Sequence, residues 1–309
     1  MSSEPRLIGA EELRDRLPIA AAVDALEEAF ASTDPSAGPL RTHLETPNGS
    51  LLLMPAVDAR LGVGVKLVAL TPGNPARGLP LIHAAYALFD AETQAPAAII
   101  DGSALTAHRT AAVSALATRH LARPDASRLV VFGAGVQATA HVEAMRAVRE
   151  IVDLVVVSRS GEHAGALVAA ARDGGLAADV GGPDAVREAD LVCTCTTSEE
   201  PLFDGTLLAS GAHINAVGAY QPHTRELDTE TVRRAKVVVE TRQVAFEESG
   251  DLLIPIREGA IDAEHVIADL GELVRGAEVR RSPEDVTLFE SVGMAFEDLV
   301  VARAAVEAR

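Results

Sequence analysis

The 309-residue chain predicts an α/β protein, a doubly wound parallel sheet preceded by an antiparallel meander. Three observations carry this reading. Six aliphatic runs recur between residues 128 and 240 (RLVVFG, VDLVVVS, GLAADV, ADLVCTCT, AHINAVG and AKVVVE), mostly apolar on both faces, as strands covered by helices on either side must be. The first three intervals between them hold helix-like segments rich in Ala, Val and Glu. Ahead of these, GSLLLMPAV, GVGVKLVAL, HAAYALFD and APAAIIDG follow one another with only Pro-, Gly- and Asn-bearing turns between, the signature of consecutive short strands.

Taken in order, Glu11 to Phe30 carries apolar residues at helical spacing, and Pro18 divides it into two helical pieces. The four meander strands follow, with TPGNPARGLP (Thr71 to Pro80) as their long turn-rich loop. A helix from about Leu105 to Ala122 closes the region, and RPDAS (Arg123 to Ser127) is a polar, proline-bearing linker to the parallel sheet. The last stretch, TLFESVGMAFEDLVVARAAVEA, reads as a turn leading into a long amphipathic helix.

With 48% hydrophobic residues the chain is long enough for about two domains. A net charge of −18 argues against a grip on nucleic acid or on an anionic membrane, so an anionic ligand needs local cations. Cys193 and Cys195 read as small strand residues of a reducing compartment rather than a bridge. The amino-terminal MSSEPRLIGAEEL has no basic-then-apolar pattern, and no apolar run reaches the roughly 20 residues of a membrane span, which predicts a cytoplasmic protein.

GAGVQA, Gly133 to Ala138, is the G-x-G-x-x-A form of the dinucleotide fingerprint, placed after a strand and at the start of a helix. Glycine at positions 133 and 135 lets backbone approach a pyrophosphate, and the helix amino-terminus supplies unpaired N–H groups to the anion. The next strand ends in Ser158, Arg159 and Ser160, where a free ribose hydroxyl is ordinarily met by an acid. An arginine flanked by hydroxyls there favours a 2′-phosphate, hence NADP(H), with NAD(H) as the alternative.

Three cations interrupt uncharged surroundings: Arg41 in PLRTHLE, Lys66 inside GVGVKLVAL, and Arg109 in DGSALTAHRTAA. A charge in an apolar strand is costly unless paired, so Lys66 meets an anion. The plain reading makes Lys66 an edge-strand charge or the partner of a carboxylate such as Asp101, and Arg109 a helix-surface charge. As a group the three suggest a pocket for a carboxylate.

Together, KLVALTPGNPARGLP, DGSALTAHRTAA, GAGVQA, HINAVGA and FESVGMAFED resemble the ornithine cyclodeaminase/mu-crystallin family over nearly the whole chain from Arg41. The resemblance implies a Rossmann domain, residues 123 to 287, inserted into a discontinuous α+β domain of residues 1 to 122 and 288 to 309, which binds substrate and forms a homodimer. It implies that Arg41 and Lys66 hold a substrate carboxylate, with Arg109 and Thr110 between that group and the cofactor. Val136 and Gln137 would lie over the pyrophosphate, Thr196, Asn215, Val217 and Gly218 along the nucleotide, and Ser291 with Val292 beside the nicotinamide and substrate.

Cyclodeaminases of this family carry a glutamate just before their Met-Pro pair and an aspartate two residues before the proline after the NAVG-like strand. Here those neighbourhoods hold Leu52 and Leu53, and Tyr220. Tyrosine is a poor base at neutral pH and leucine is none. The resemblance is therefore to the branch that reduces small cyclic ketimines, with a pocket of cations and no acid able to take a proton from nitrogen. Ornithine cyclodeamination or alanine dehydrogenation remains the alternative if Glu45, Glu226 or Asp228 takes over, and a nonenzymatic NADPH-binding protein is the alternative of another class. Tyr220 is a candidate hydrogen-bond donor or pocket wall, and His83 a candidate for proton transfer or a packed strand residue. His213 and His223 flank Tyr220 with no metal-ligand spacing, so no metal is expected.

Overall fold

The computed structural model describes residues 4–35 and 38–308. The chain divides into two compact units, one of Met1–Ala29, Ala37–Arg109 and Met294–Arg309, the other of Phe30–Ser36 and Thr110–Gly293.

The first unit opens with strand β1 (Arg6–Ile8) and helices α1 (Ala10–Arg16) and α2 (Ile19–Ser32). Pro18 falls between the helices, and its carbonyl accepts from Ala22 N to begin α2. Then come β2 (Thr42–Thr46), β3 (Gly49–Asp58), β4 (Gly62–Leu70), β5 (Ile82–Phe89), β6 (Pro96–Asp101) and helix α3 (Gly102–Leu121). The sheet order is β1-β6-β5-β4-β3-β2. Its strands from β2 to β6 pair antiparallel, while β1 runs parallel to β6.

The second unit continues through β7 (Arg128–Phe132), α4 (Val136–Val148), β8 (Asp153–Val157), α5 (Gly161–Asp173), β9 (Ala177–Val180), β10 (Leu191–Thr194), β11 (His213–Ala216) and α6 (Thr229–Arg234). It ends with β12 (Lys236–Val239), α7 (Arg242–Glu248), α8 (Gly250–Arg257), β13 (Val266–Asp269), α9 (Leu270–Val274) and β14 (Thr287–Glu290). All eight strands are parallel, in the order β13-β12-β14-β11-β10-β7-β8-β9. This is a Rossmann-type sheet whose order reverses between β7 and β10, the place where such sheets bind ligands. Val130, Val192, Ile214, Val237 and Leu288 form the middle of its core.

Helix α10 (Ala295–Glu307) returns the chain to the first unit and packs on β3, β4 and β5. Alternation along the strands turns Leu52, Met54, Lys66, Val68 and Tyr86 to the buried face.

Several expectations change. The parallel sheet has eight strands, not six, because VIAD and TLFE are strands. TLFE is no turn, since β14 pairs with β11 on one side and β12 on the other. The expected border at 287/288 thus falls inside a strand, and packing moves it to Gly293. The polar linker marks no border either, because Asp190 takes hydrogen bonds from Arg123, Ser127 N and Arg128 N; the units part inside α3, at Arg109. Finally, α10 is buried along most of its length rather than amphipathic. No helix among the described residues is long and apolar enough to cross a membrane.

Candidate active site

Each glycine of the GAGVQA turn has a separate structural reason. Gly133 takes φ +106°, and a Cβ there would sit 2.5 Å from the carbonyl oxygen of Cys195, the residue after β10. Only glycine lets the ends of β7 and β10 come this close. Gly135 instead has ordinary extended backbone and nothing within 4 Å of where a Cβ would stand. It leads α4 with no side chain capping the helix, so the first-turn N–H groups are left without a side-chain acceptor. Ala138 is fully buried, as helix-to-sheet packing requires, whereas Val136 is 72% exposed. Gln137 is half-buried with its side-chain oxygen unpartnered. This open, uncapped amino-terminus fits a pyrophosphate.

At the end of β8, Ser160 caps α5 by accepting from His163 N at 3.3 Å, and Ser158 Oγ accepts from Ser160 N at 3.2 Å. Arg159 between them is exposed and makes no ion pair among the described residues. Its guanidinium is available to an anion.

Several other expected nucleotide residues make hydrogen bonds within the protein. Glu226, fully buried, accepts from Thr194 Oγ1 (2.7 Å), Thr196 N (2.7 Å), Thr196 Oγ1 (2.6 Å) and Gly218 N (2.8 Å). Burial raises its pKa against the pull of these donors. Asn215 has no exposed surface and donates to Thr118 Oγ1 at 2.9 Å, so its side chain ties β11 to α3. Ser291 is equally enclosed, its hydroxyl donating to Glu240 at 2.6 Å, and Glu240 also accepts from Val292 N and Gly293 N. Thr110 is buried; Val217 and Tyr220 are half-buried, and Tyr220 has no hydrogen-bond partner among the described residues.

Two more acids in this unit, Asp251 and Glu290, are buried. Asp251 Oδ1 accepts from Glu226 N (2.9 Å) and Leu227 N (2.8 Å). Burial, with Glu226 nearby, pushes its pKa up to about 8. Glu290, at the end of β14, accepts from Ser249 Oγ at 2.7 Å and is raised well above the carboxylate range by burial and by Asp251.

In the first unit, register builds the cation cluster. Lys66 on β4 pairs with Met54 on β3 and Tyr86 on β5. Arg41 stands one residue before Thr42, which pairs with Leu53, so it arrives at the level of Met54. Lys66 is 1% exposed and its Nζ lies 2.8 Å from each carboxylate oxygen of Asp298. Arg109 reaches the same carboxylate, Nε to Oδ1 at 3.1 Å, and places Nη1 2.8 Å from Glu297 Oε2. Burial lowers the Lys66 pKa to about 8; Asp298 opposes this, and Arg109 and Arg41 add to it.

The cations are therefore brought together, but with two acids that the sequence reading did not place. Lys66 is paired with Asp298 and not with Asp101, which accepts from Ser103 N and Ala104 N ahead of α3. The acids considered for a deaminating base are engaged or remote from the buried face: Glu226 is fourfold bonded, Asp228 caps α6 and accepts from Gly205 N, and Glu45 is exposed on β2. His83 lies on the opposite face of its strand from Tyr86 by alternation. His213 is buried on Thr287 Oγ1 at 2.9 Å and held neutral, its pKa lowered by burial to about 3. Both cysteines are free thiols, and burial raises Cys193 to about 12. No group of three or more His, Cys, Asp or Glu among the described residues is placed to hold a metal ion.

A G-x-G-x-x-A turn of this geometry, at the reversal point of a doubly wound sheet, defines the class of dinucleotide-dependent α/β proteins. The model of the ornithine cyclodeaminase/mu-crystallin family matches residues 4–308, and the chain belongs to that family. It is 39% identical over 293 residues to a Δ1-pyrroline-2-carboxylate reductase of Bacillus cereus, covering 92% of this chain and 89% of that one. A solved Thermococcus litoralis Δ1-pyrroline-2-carboxylate reductase in complex with NADH and L-proline matches with a TM-score of 0.93 and 35% identity, covering 98% and 97%. An archaeal alanine dehydrogenase dimer with bound NAD matches with a TM-score of 0.91 and 33% identity, covering 99% and 96%.

Proposed function

We propose that this chain is a reductase of small cyclic imino acids of the pyrroline-2-carboxylate or piperideine-2-carboxylate type, giving the cyclic amino acid. One observation carries the reading: the acids at the cluster, Asp298 and Glu297, are bonded to Lys66 and Arg109, and Tyr220 stands where a deaminating enzyme of the family needs an aspartate. Such a site holds an anion and gives a proton; it does not strip one from an amine. When bound, a reduced nicotinamide dinucleotide supplies the hydride that reduces the C=N carbon. The chain's own part is to hold it at Gly133, Gly135, Val136 and Gln137, to clamp the substrate carboxylate with Arg41 and Arg109, and to bring Lys66 to the nitrogen. Relatives with cyclic imino-acid reductase names support this over the alanine dehydrogenase reading.

The exposed guanidinium of Arg159 supports NADP(H) as the preferred form, although solved relatives hold NADH and NAD. The outer face of the first sheet, with Leu67 and Ile99 exposed on it, supports a homodimer through that face, as does the dimeric archaeal relative. A cytoplasmic location accords with the free thiols. The deciding experiment is a steady-state panel of both cyclic imines, ornithine and alanine with all four cofactor forms. Imine-dependent oxidation of NADPH is expected. Ammonia release from ornithine, NAD(P)H formation from alanine, or cofactor binding without turnover of any imine would each replace this reading.

A further inference from the structure

The chain has 27 Lys and Arg residues, of which only Lys66 and Lys236 are lysines. Lys236 is exposed, so the one buried lysine stands in the cluster between two arginines. An arginine would serve an anion better, with its rigid fork and fixed charge; a lysine at this point adds the ability to lose a proton. Charged and titratable groups stand around it. Asp298 and Glu297 come from α10, Arg109 from α3 and Arg41 from ahead of β2, while Tyr86 on β5 has a phenol kept neutral by burial. Among the described residues Asp298 is the hydrogen-bond and ion-pair partner of Lys66, with both oxygens within reach, while it also holds Arg109 Nε.

We propose that Asp298 is a positioning residue for the reaction, acting through Lys66: it fixes the ammonium on the sheet and keeps it charged until a neutral imine nitrogen takes its proton. The inference rests on the reductase reading above. As the C=N carbon is reduced at the expense of the nicotinamide, the π pair moves to nitrogen, an N–H bond forms, and the Nζ–H bond of Lys66 breaks. Lys66 is left as an amine hydrogen-bonded near Asp298 and regains its proton from water. An imine that binds already protonated needs no such donor, so the pair matters at the alkaline side of the profile.

Two lysines make the test direct. Protein labelled with 13Cε-lysine gives one signal from Lys66 and one from Lys236, and their titration needs neither cofactor nor substrate. Lys66 is expected to titrate near pH 8, below the ordinary lysine range, and at least one pH unit lower still in Asp298→Asn, with Asp298→Glu restoring most of the difference. The alkaline limb of kcat for pyrroline-2-carboxylate should move with it, with little change in KM. Should Asp298→Asn fail to fold, Asp298→Glu alone serves: whatever displacement it leaves in the Lys66 titration should appear equally in the alkaline limb of kcat, and unequal displacements overturn the inference. A Lys66 signal that titrates in the ordinary lysine range, or that ignores Asp298→Asn, overturns the inference whatever the enzyme reduces. A wild-type enzyme inert on imines overturns the reductase reading and leaves the titration to judge the Lys66–Asp298 pair.

Discussion

The two units handle charge in opposite ways. In the first, four charge-bearing side chains, Lys66, Arg109, Glu297 and Asp298, are almost wholly buried and pair with one another. In the second, the expected anion site is backbone: an uncapped helix start and a glycine with empty space beside it. Burying one member of an ion pair without the other is severely unfavourable, so in the first unit the chemistry and the fold depend on the same groups. In the second they are separable, because nothing in the packing requires Gly135 to be bare.

The largest effect that would sharpen this contrast comes from Arg109→Ala, which removes the guanidinium from Glu297 and leaves Lys66 to balance Asp298. Denaturant unfolding should show a loss of about 3–5 kcal/mol, and kcat/KM should fall by ~100-fold or more as the carboxylate clamp is lost. An Arg109→Ala protein of full stability would break the comparison. Gly133→Ala should come next. The left-handed backbone costs an L-residue about 1–2 kcal/mol, and the 2.5 Å approach to Cys195 O adds strain, so stability and cofactor affinity drop together.

A pH effect of intermediate size belongs to the second unit. Asp251 has its pKa raised from 3.8 to about 8 in the folded chain. Such a group stabilises the fold fully below its unfolded pKa and withdraws that stability as pH rises through the folded value, here between about pH 4 and pH 8. Asp251→Asn keeps an acceptor for Glu226 N and Leu227 N but cannot ionise, so its urea midpoint should decline less over that window than the wild type's. Parallel declines would show that Asp251 is not protonated in the fold. The smallest effect on folding is expected for Gly135→Ala, within about 0.5 kcal/mol, while nucleotide dissociation constants measured by fluorescence should weaken ~10-fold, which is about 1.4 kcal/mol.

The same contrast explains what could be read from the sequence. The Rossmann strands and the glycine turn are local patterns, and Gly133, Gly135 and Ala138 sit within six consecutive residues. The strands overlooked were those whose pattern is weak: β2 is exposed at every position, β1 and β13 are three and four residues long, and TLFE is followed by a Ser-Val-Gly turn that hides it. The cations of the first unit were legible because each interrupts an uncharged run. Their acids were not, since Lys66 and Asp298 are 232 positions apart and Arg109 and Asp298 are 189 apart. Glu297 and Asp298 also occupy the first turn of α10, where acids ordinarily answer the helix dipole from the surface. The rule that picked out Lys66, a charge among apolar neighbours, applies equally to VGMAFEDLVV.

Glu226 has a consequence for how a nucleotide would arrive. One carboxyl clasps the segments following β10 and β11, taking up Thr196 and Gly218 at once. Those two lips of the crevice cannot drift independently, so their freedom is surrendered when the chain folds and not when a guest docks. A rim set in advance favours fast, repeatable loading over closure around each molecule, and loosening that single clasp should show first as a slower on-rate.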